Sequence, residues 1–105
     1  MRRALLAATV LAALSSVAAA QTATPGIDQR QDNQQKRIAA GVASGQLTPR
    51  ETIRLERGQQ HIQNMENRAK SDGVVTNAER ARINAAQNVQ SRRIYREKHD
   101  RQVVR

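Results

Sequence analysis

Ser44-Gly45-Gln46-Leu47-Thr48-Pro49-Arg50-Glu51 and Asp72-Gly73-Val74-Val75-Thr76-Asn77-Ala78-Glu79 follow one pattern, and its reading decides the fold. Each runs small or acidic residue, Gly, any residue, aliphatic, Thr, two residues, Glu. Thr followed three positions later by Glu is a capping box: the hydroxyl accepts from the Glu backbone N–H, and the carboxylate accepts from the Thr N–H. Pro49 then falls at the first helical position, where a missing N–H costs nothing. Gly45 and Gly73, three residues before each cap, tolerate positive φ and end the preceding helix. Leu47 and Val75 precede the caps and are placed to fold back onto the new helices. Gly45, Thr48, Glu51, Gly73, Thr76 and Glu79 therefore carry structure. The copies lie 28 residues apart, and at that offset Arg54 meets Arg82, Leu55 meets Ile83 and Gln59 meets Gln87. One turn-and-helix unit used twice is the expectation.

Working outward, Pro49 to about Lys70 reads as the best helix. Leu55, Gly58, Ile62, Met65 and Ala69 recur at steps of three and four, a seam of heptad type. Gly58 costs roughly 1 kcal/mol relative to Ala but admits another backbone closely. Asn77 to about Arg101 reads as a further helix, with Ile83, Ala86, Gln87, Gln90 and Ile94 on one face. Glutamine dilutes that stripe, which points to partial exposure or a partner. Asp28 to about Val42 is the weakest helix, its apolar content limited to Ile27 just ahead of it, Ile38, Val42 and alanines. The fold class is all-α: a small bundle of two or three helices joined by tight Gly turns.

The ends read differently. Residues 1–20 pair Arg2 and Arg3 with an apolar run and an Ala18-Ala19-Ala20 cleavage pattern, the form of a bacterial signal peptide. The expected location is periplasmic or secreted. Residues 21–27 read as a flexible leader, 28–101 as the helical domain, and 102–105 as a frayed tail. The chain has no cysteine, so no disulfide supplements the core. Aromatic residues make up 1% of the chain, so the core must be aliphatic and thin. A homodimer, or ordering on a partner, would supply the missing burial.

The net charge is +9. Its excess crowds the last quarter, and arginines far outnumber lysines. Arg92, Arg93, Arg96, Lys98 and Arg101 are the candidate contacts for an anionic partner, since the guanidinium fork suits carboxylate and phosphate. Export and the scarcity of stacking aromatics disfavour nucleic acid. Acidic or unfolded protein and anionic envelope lipid fit better. No nucleophile, base and orienting group fall together, so the expectation is a protein that is not an enzyme and needs no cofactor. His61 and Met65 share a helix face but make too few ligands for a metal.

Two resemblances follow from the quoted stretches. Gly73, Val75, Thr76 and Glu79, like Gly45, Leu47, Thr48 and Glu51, resemble the second half of an EF-hand calcium loop. The first half departs: Arg68 and Lys70, and Ala40 and Val42, stand where carboxylates are needed. That resemblance implies a degenerate EF-hand-like metal module centred on Asp72, Thr76 and Glu79. Leu47-Thr48-Pro49-Arg50-Glu51, and more loosely Val75-Thr76-Asn77-Ala78-Glu79, resemble the Leu-Thr-x-x-Gln motif of the Spy/CpxP family of periplasmic stress proteins. It implies an envelope-stress chaperone that cradles unfolded clients without ATP. The leading expectation is a non-enzymatic periplasmic binding protein acting through a basic helical surface. The metal module and a structural adaptor with one dedicated partner are the alternatives.

Overall fold

The computed structural model describes residues 22–100 as three helices, α1 (Pro25–Ala43), α2 (Pro49–Lys70) and α3 (Asn77–Lys98), with no strand among the described residues. Residues 1–21, which hold the expected signal peptide and the first residue of the leader, together with Arg101 and the tail 102–105, lie outside the described residues. Short connections force neighbouring helices antiparallel, so α1 and α3 run the same way on either side of α2.

Both caps are complete. Thr48 N–H donates to Glu51 Oε1 at 2.9 Å and Glu51 N–H to Thr48 Oγ1 at 3.2 Å. The corresponding distances at Thr76 and Glu79 are 3.0 and 3.1 Å. Gly45 and Gly73 have φ of 75° and 84°, the left-handed region that a side chain strains to enter. Leu47 and Val75 turn inward and are buried.

The helical domain starts earlier than Asp28. Part of the expected leader, Pro25 to Ile27, is the first turn of α1, with Pro at its start. Ile27 is the reason. It is 5% exposed and packs with Ile62, Ala69, Val75 and Ile83. Thr24, just before the helix, is also buried, its hydroxyl 2.9 Å from Glu66 Oε1.

The apolar core is split. One cluster joins Ile27, Ile62, Ala69, Val75 and Ile83 at one end of the bundle. The other joins Ile38, Leu47, Leu55 and Ile94 at the opposite end. Between them lies a belt of buried glutamines, Gln34, Gln59, Gln87 and Gln90. Their amide groups reach across to helix backbones. Gln34 Nε2 donates to the Gln87 carbonyl at 2.9 Å, Gln87 Nε2 to that of Ile27 at 3.0 Å, and Gln90 Nε2 to that of Leu55 at 2.7 Å. The glutamines of α3 thus face the inside of the bundle and not solvent or a partner, because each finds a carbonyl on a neighbouring helix.

That belt shifts the seam of α2. Its buried face is Glu51, Leu55, Gln59, Ile62, Glu66 and Ala69. Gly58 stands beside this face, where the Gln90 carboxamide lies over it. A Cβ at Gly58 would come within 2.2 Å of Gln90 Oε1. The missing side chain makes room for a polar group from α3.

Candidate functional site

The antiparallel packing of α2 against α3 brings arginines from distant parts of the sequence to one groove. Arg54 and Arg57, three apart on α2, face Arg93 and Arg96, three apart on α3. Three-residue spacing puts both members of each pair on one helix flank. Further along, the groove is lined by His61, Ile62, Ala86 and Val89. Val89 is 38% exposed, so apolar surface sits beside the guanidinium groups. The cleft at the arginine end has a volume of about 530 Å³, within the range of ligand-sized pockets.

Two carboxylates of the chain already stand in this cleft, Glu97 and Asp100. Arg54 Nη2 lies 3.6 Å from Glu97 Oε1, with the arginine side chain 56% exposed. A pair this long and this wet contributes little and is readily exchanged for another anion.

Of the five residues singled out from sequence, the four that are described do not form one patch. Arg93 and Arg96 line the α2/α3 groove. Arg92 lies on the other side of α3, in a groove with Arg37, Ser91 and Tyr95 that Arg96 also borders. There Arg37 Nη1 donates to Ser91 Oγ at 2.7 Å and its Nη2 to the Ser91 carbonyl at 3.1 Å. Lys98 lays its stem near Gly41 at the end of α1. Arg54 and Arg57 were missed because charge was counted along the chain. Their signal was positional: both lie beside the apolar seam of α2, where they flank whatever packs on it.

The third groove, between α1 and α2, has the opposite character. Asp28, Asp32, Glu56 and Glu66 line it with glutamines and one cation, Lys70. Lys70 Nζ is 2.8 Å from the buried Glu66. Asp28 sits at its end. Its hydrogen bond with the Glu66 carboxyl, then that of the Thr24 hydroxyl and the charge of Lys70, hold its carboxyl below the ordinary 3.8. A carboxylate depressed on folding contributes stability above its unfolded pKa, and that contribution disappears as pH falls through its folded pKa. The protein is therefore expected to lose stability on acidification below 3.8, with Asp28→Asn giving a flatter profile there. Urea midpoints measured across this pH window check it, and parallel profiles for the two proteins would refute it.

Asp72, Thr76 and Glu79 do not form a carboxylate cage. Asp72 is exposed, while the Thr76 hydroxyl and Glu79 Oε1 are engaged in the cap of α3. Hydrogen bonds from the Thr76 backbone and then its hydroxyl, with the charge of Arg82, hold Glu79 below its ordinary value. His99 Nδ1 lies 2.7 Å from the Tyr95 carbonyl and its ring stacks on Tyr95 at 4.0 Å. No described helix is long and apolar enough to cross a membrane.

Comparison with family models, with curated proteins and with solved structures finds no match to this chain.

Proposed function

We propose that this chain is an exported, non-enzymatic binding protein of the bacterial envelope that holds anionic, unfolded polypeptide in its α2/α3 groove. One observation carries the reading: Arg54, Arg57, Arg93 and Arg96 converge from two helices beside the apolar surface of Ala86 and Val89. Guanidinium groups take carboxylates bidentately. The apolar strip takes the aliphatic side chains between them. An unfolded chain offers both, and a folded surface offers mainly the first. Exchange of the weak Arg54–Glu97 pair for a client carboxylate is a low-cost entry step.

The test is titration of a fluorescently labelled acidic, aliphatic-rich peptide and of a basic control peptide. The acidic peptide is expected to bind, and its affinity to fall steeply between low salt and about 0.5 M, where the screening length drops to a few ångströms. Arg57→Glu/Arg93→Glu is expected to weaken it at least tenfold, about 1.4 kcal/mol or more. Arg50→Glu, on the exposed first turn of α2 and outside the groove lining, should change it little. Equal loss from both variants would mean general charge attraction and no groove. Suppressed aggregation of a destabilised acidic protein at stoichiometric amounts would support the chaperone-like form of the reading.

A further inference from the structure

The recess between α1 and α3 plays no part in the reading above. Arg37 of α1 and Ser91, Arg92, Tyr95 and Arg96 of α3 line it, around a volume of about 480 Å³. Three guanidinium groups meet there, and no described carboxylate lines it. The α2/α3 groove differs on this point, since Glu97 and Asp100 stand among its arginines. Arg92 and Arg96 are four apart on one flank of α3, a spacing at which like charges destabilise a helix. The exposed Arg92 guanidinium has no ion-pair or hydrogen-bond partner among the described residues.

Two further contacts prepare the recess. Arg37 Nη1 donates to Ser91 Oγ at 2.7 Å and its Nη2 to the Ser91 carbonyl at 3.1 Å, which holds the guanidinium against α3. A guanidinium has five N–H groups, so three remain to donate. The Tyr95 ring is stacked on His99 at 4.0 Å, yet Tyr95 is 59% exposed.

We propose that this recess is a site for a phosphomonoester, with the phosphoryl group among Arg37, Arg92 and Arg96 and the body of the ligand against Tyr95. A carboxylate brings one charge and two oxygens, enough for one guanidinium fork. A phosphomonoester brings a charge of about −1.5 to −2 and three terminal oxygens, which matches three guanidinium groups with no acid beside them. A bare phosphate is far smaller than the recess, so the ligand has a body as well. Tyr95 gives that body a surface that is apolar on its ring and polar at its hydroxyl. A sugar phosphate and a lipid with a phosphomonoester headgroup share this chemistry. The site is separate from the peptide groove, and of its residues Arg96 alone borders both.

Tyr95 is the only tyrosine of the chain, so its ring-proton resonances report on this recess. The experiment follows them while the full chain is titrated with glucose 1-phosphate, inorganic phosphate or acetate at constant pH and ionic strength. A saturable shift is expected with the sugar phosphate, a weaker response with inorganic phosphate and none with acetate. Arg92→Gln is expected to weaken the sugar phosphate at least tenfold while keeping the helical circular dichroism of the parent. Arg93→Gln makes the same change in charge one residue along, in the α2/α3 groove, and should leave the affinity within about twofold. A second arm measures flotation with phosphatidylcholine vesicles carrying phosphatidic acid or phosphatidylglycerol. Preference for phosphatidic acid, abolished by Arg92→Gln, supports the site and places the phosphoryl group on a lipid. Saturable glucose 1-phosphate binding without that preference supports it with a small soluble ligand. Equal losses from Arg92→Gln and Arg93→Gln overturn the proposal. So does acetate binding that matches the sugar phosphate, or a chain that shows neither a shift nor a vesicle preference. Peptide binding is read separately, so failure here leaves the anionic-polypeptide reading standing.

Discussion

Ile62→Ala is expected to abolish the stable fold or leave it barely populated at 25 °C. Ile62 is 1% exposed and sits among Ile27, Ala69, Val75 and Ile83, with Met65 and Ala86 packed alongside. Removing buried isoleucine methyl groups and leaving a cavity costs about 2–5 kcal/mol. A domain of this size has roughly 4–12 kcal/mol in total. Here the lower part of that range applies, since the chain has no disulfide, Phe or Trp to add to its core. The cluster cannot borrow from the other end of the bundle, because the glutamine belt stands between them. Ile53→Ala is the control. That side chain is 54% exposed, and the change should stay within about 0.5 kcal/mol. Urea unfolding followed by circular dichroism at 222 nm reads both. A midpoint for Ile62→Ala close to the parent's would mean that the two clusters are not the source of stability.

The parts legible in sequence were those with a local cause. Capping boxes and left-handed glycines act within a few residues, so the starts of α2 and α3 could be read from Thr48, Glu51, Thr76 and Glu79 alone. The all-α class followed from them. The start of α1 was misplaced because its cause is not local. Pro25-Gly26 is an ordinary turn pair in isolation, and only the burial of Ile27 against α2 and α3 makes it helical. The seam of α2 was misread for a related reason. Gly58 and Gln59 both fit a step of three or four from Leu55, and periodicity cannot choose between neighbours. The choice fell to Gln59 because carbonyls on other helices can receive glutamine amides.

The candidate groove was half legible. Arginine density at the C-terminal end was visible, and Arg93 and Arg96 do line the groove. Their partners Arg54 and Arg57 come from α2, and no count along the chain brings residues that far apart together.

Replacing belt glutamines by leucine is expected to stabilise the protein, against the usual direction for core substitutions. Gln34 and Gln87 are 1% and 0% exposed. Each donates through Nε2, yet the Oε1 of each is buried without a hydrogen-bond partner among the described residues. The carbonyls they donate to, those of Gln87 and Ile27, lie inside helices and accept backbone bonds already. Deleting the amides therefore leaves no new buried group unpaired, whereas keeping them holds two acceptors out of water. Leucine has nearly the same volume, so the change removes a penalty of about 1–3 kcal/mol per orphaned oxygen without opening a cavity. Gln34→Leu/Gln87→Leu would also join the two apolar clusters into one. The expected result is a double variant with a distinctly higher urea midpoint and a gain larger than that of either single variant. The cost falls on specificity. Long-range amide-to-carbonyl bonds fix how far α1, α2 and α3 slide past one another, as buried polar positions do in coiled coils. A leucine belt slides more freely, so amide exchange in the double variant should be less uniform across the helices even as the midpoint rises. A fall in midpoint instead would mean that the two amide bonds removed contribute more than the orphaned acceptors cost, and that the belt, not the two aliphatic clusters, holds the bundle together.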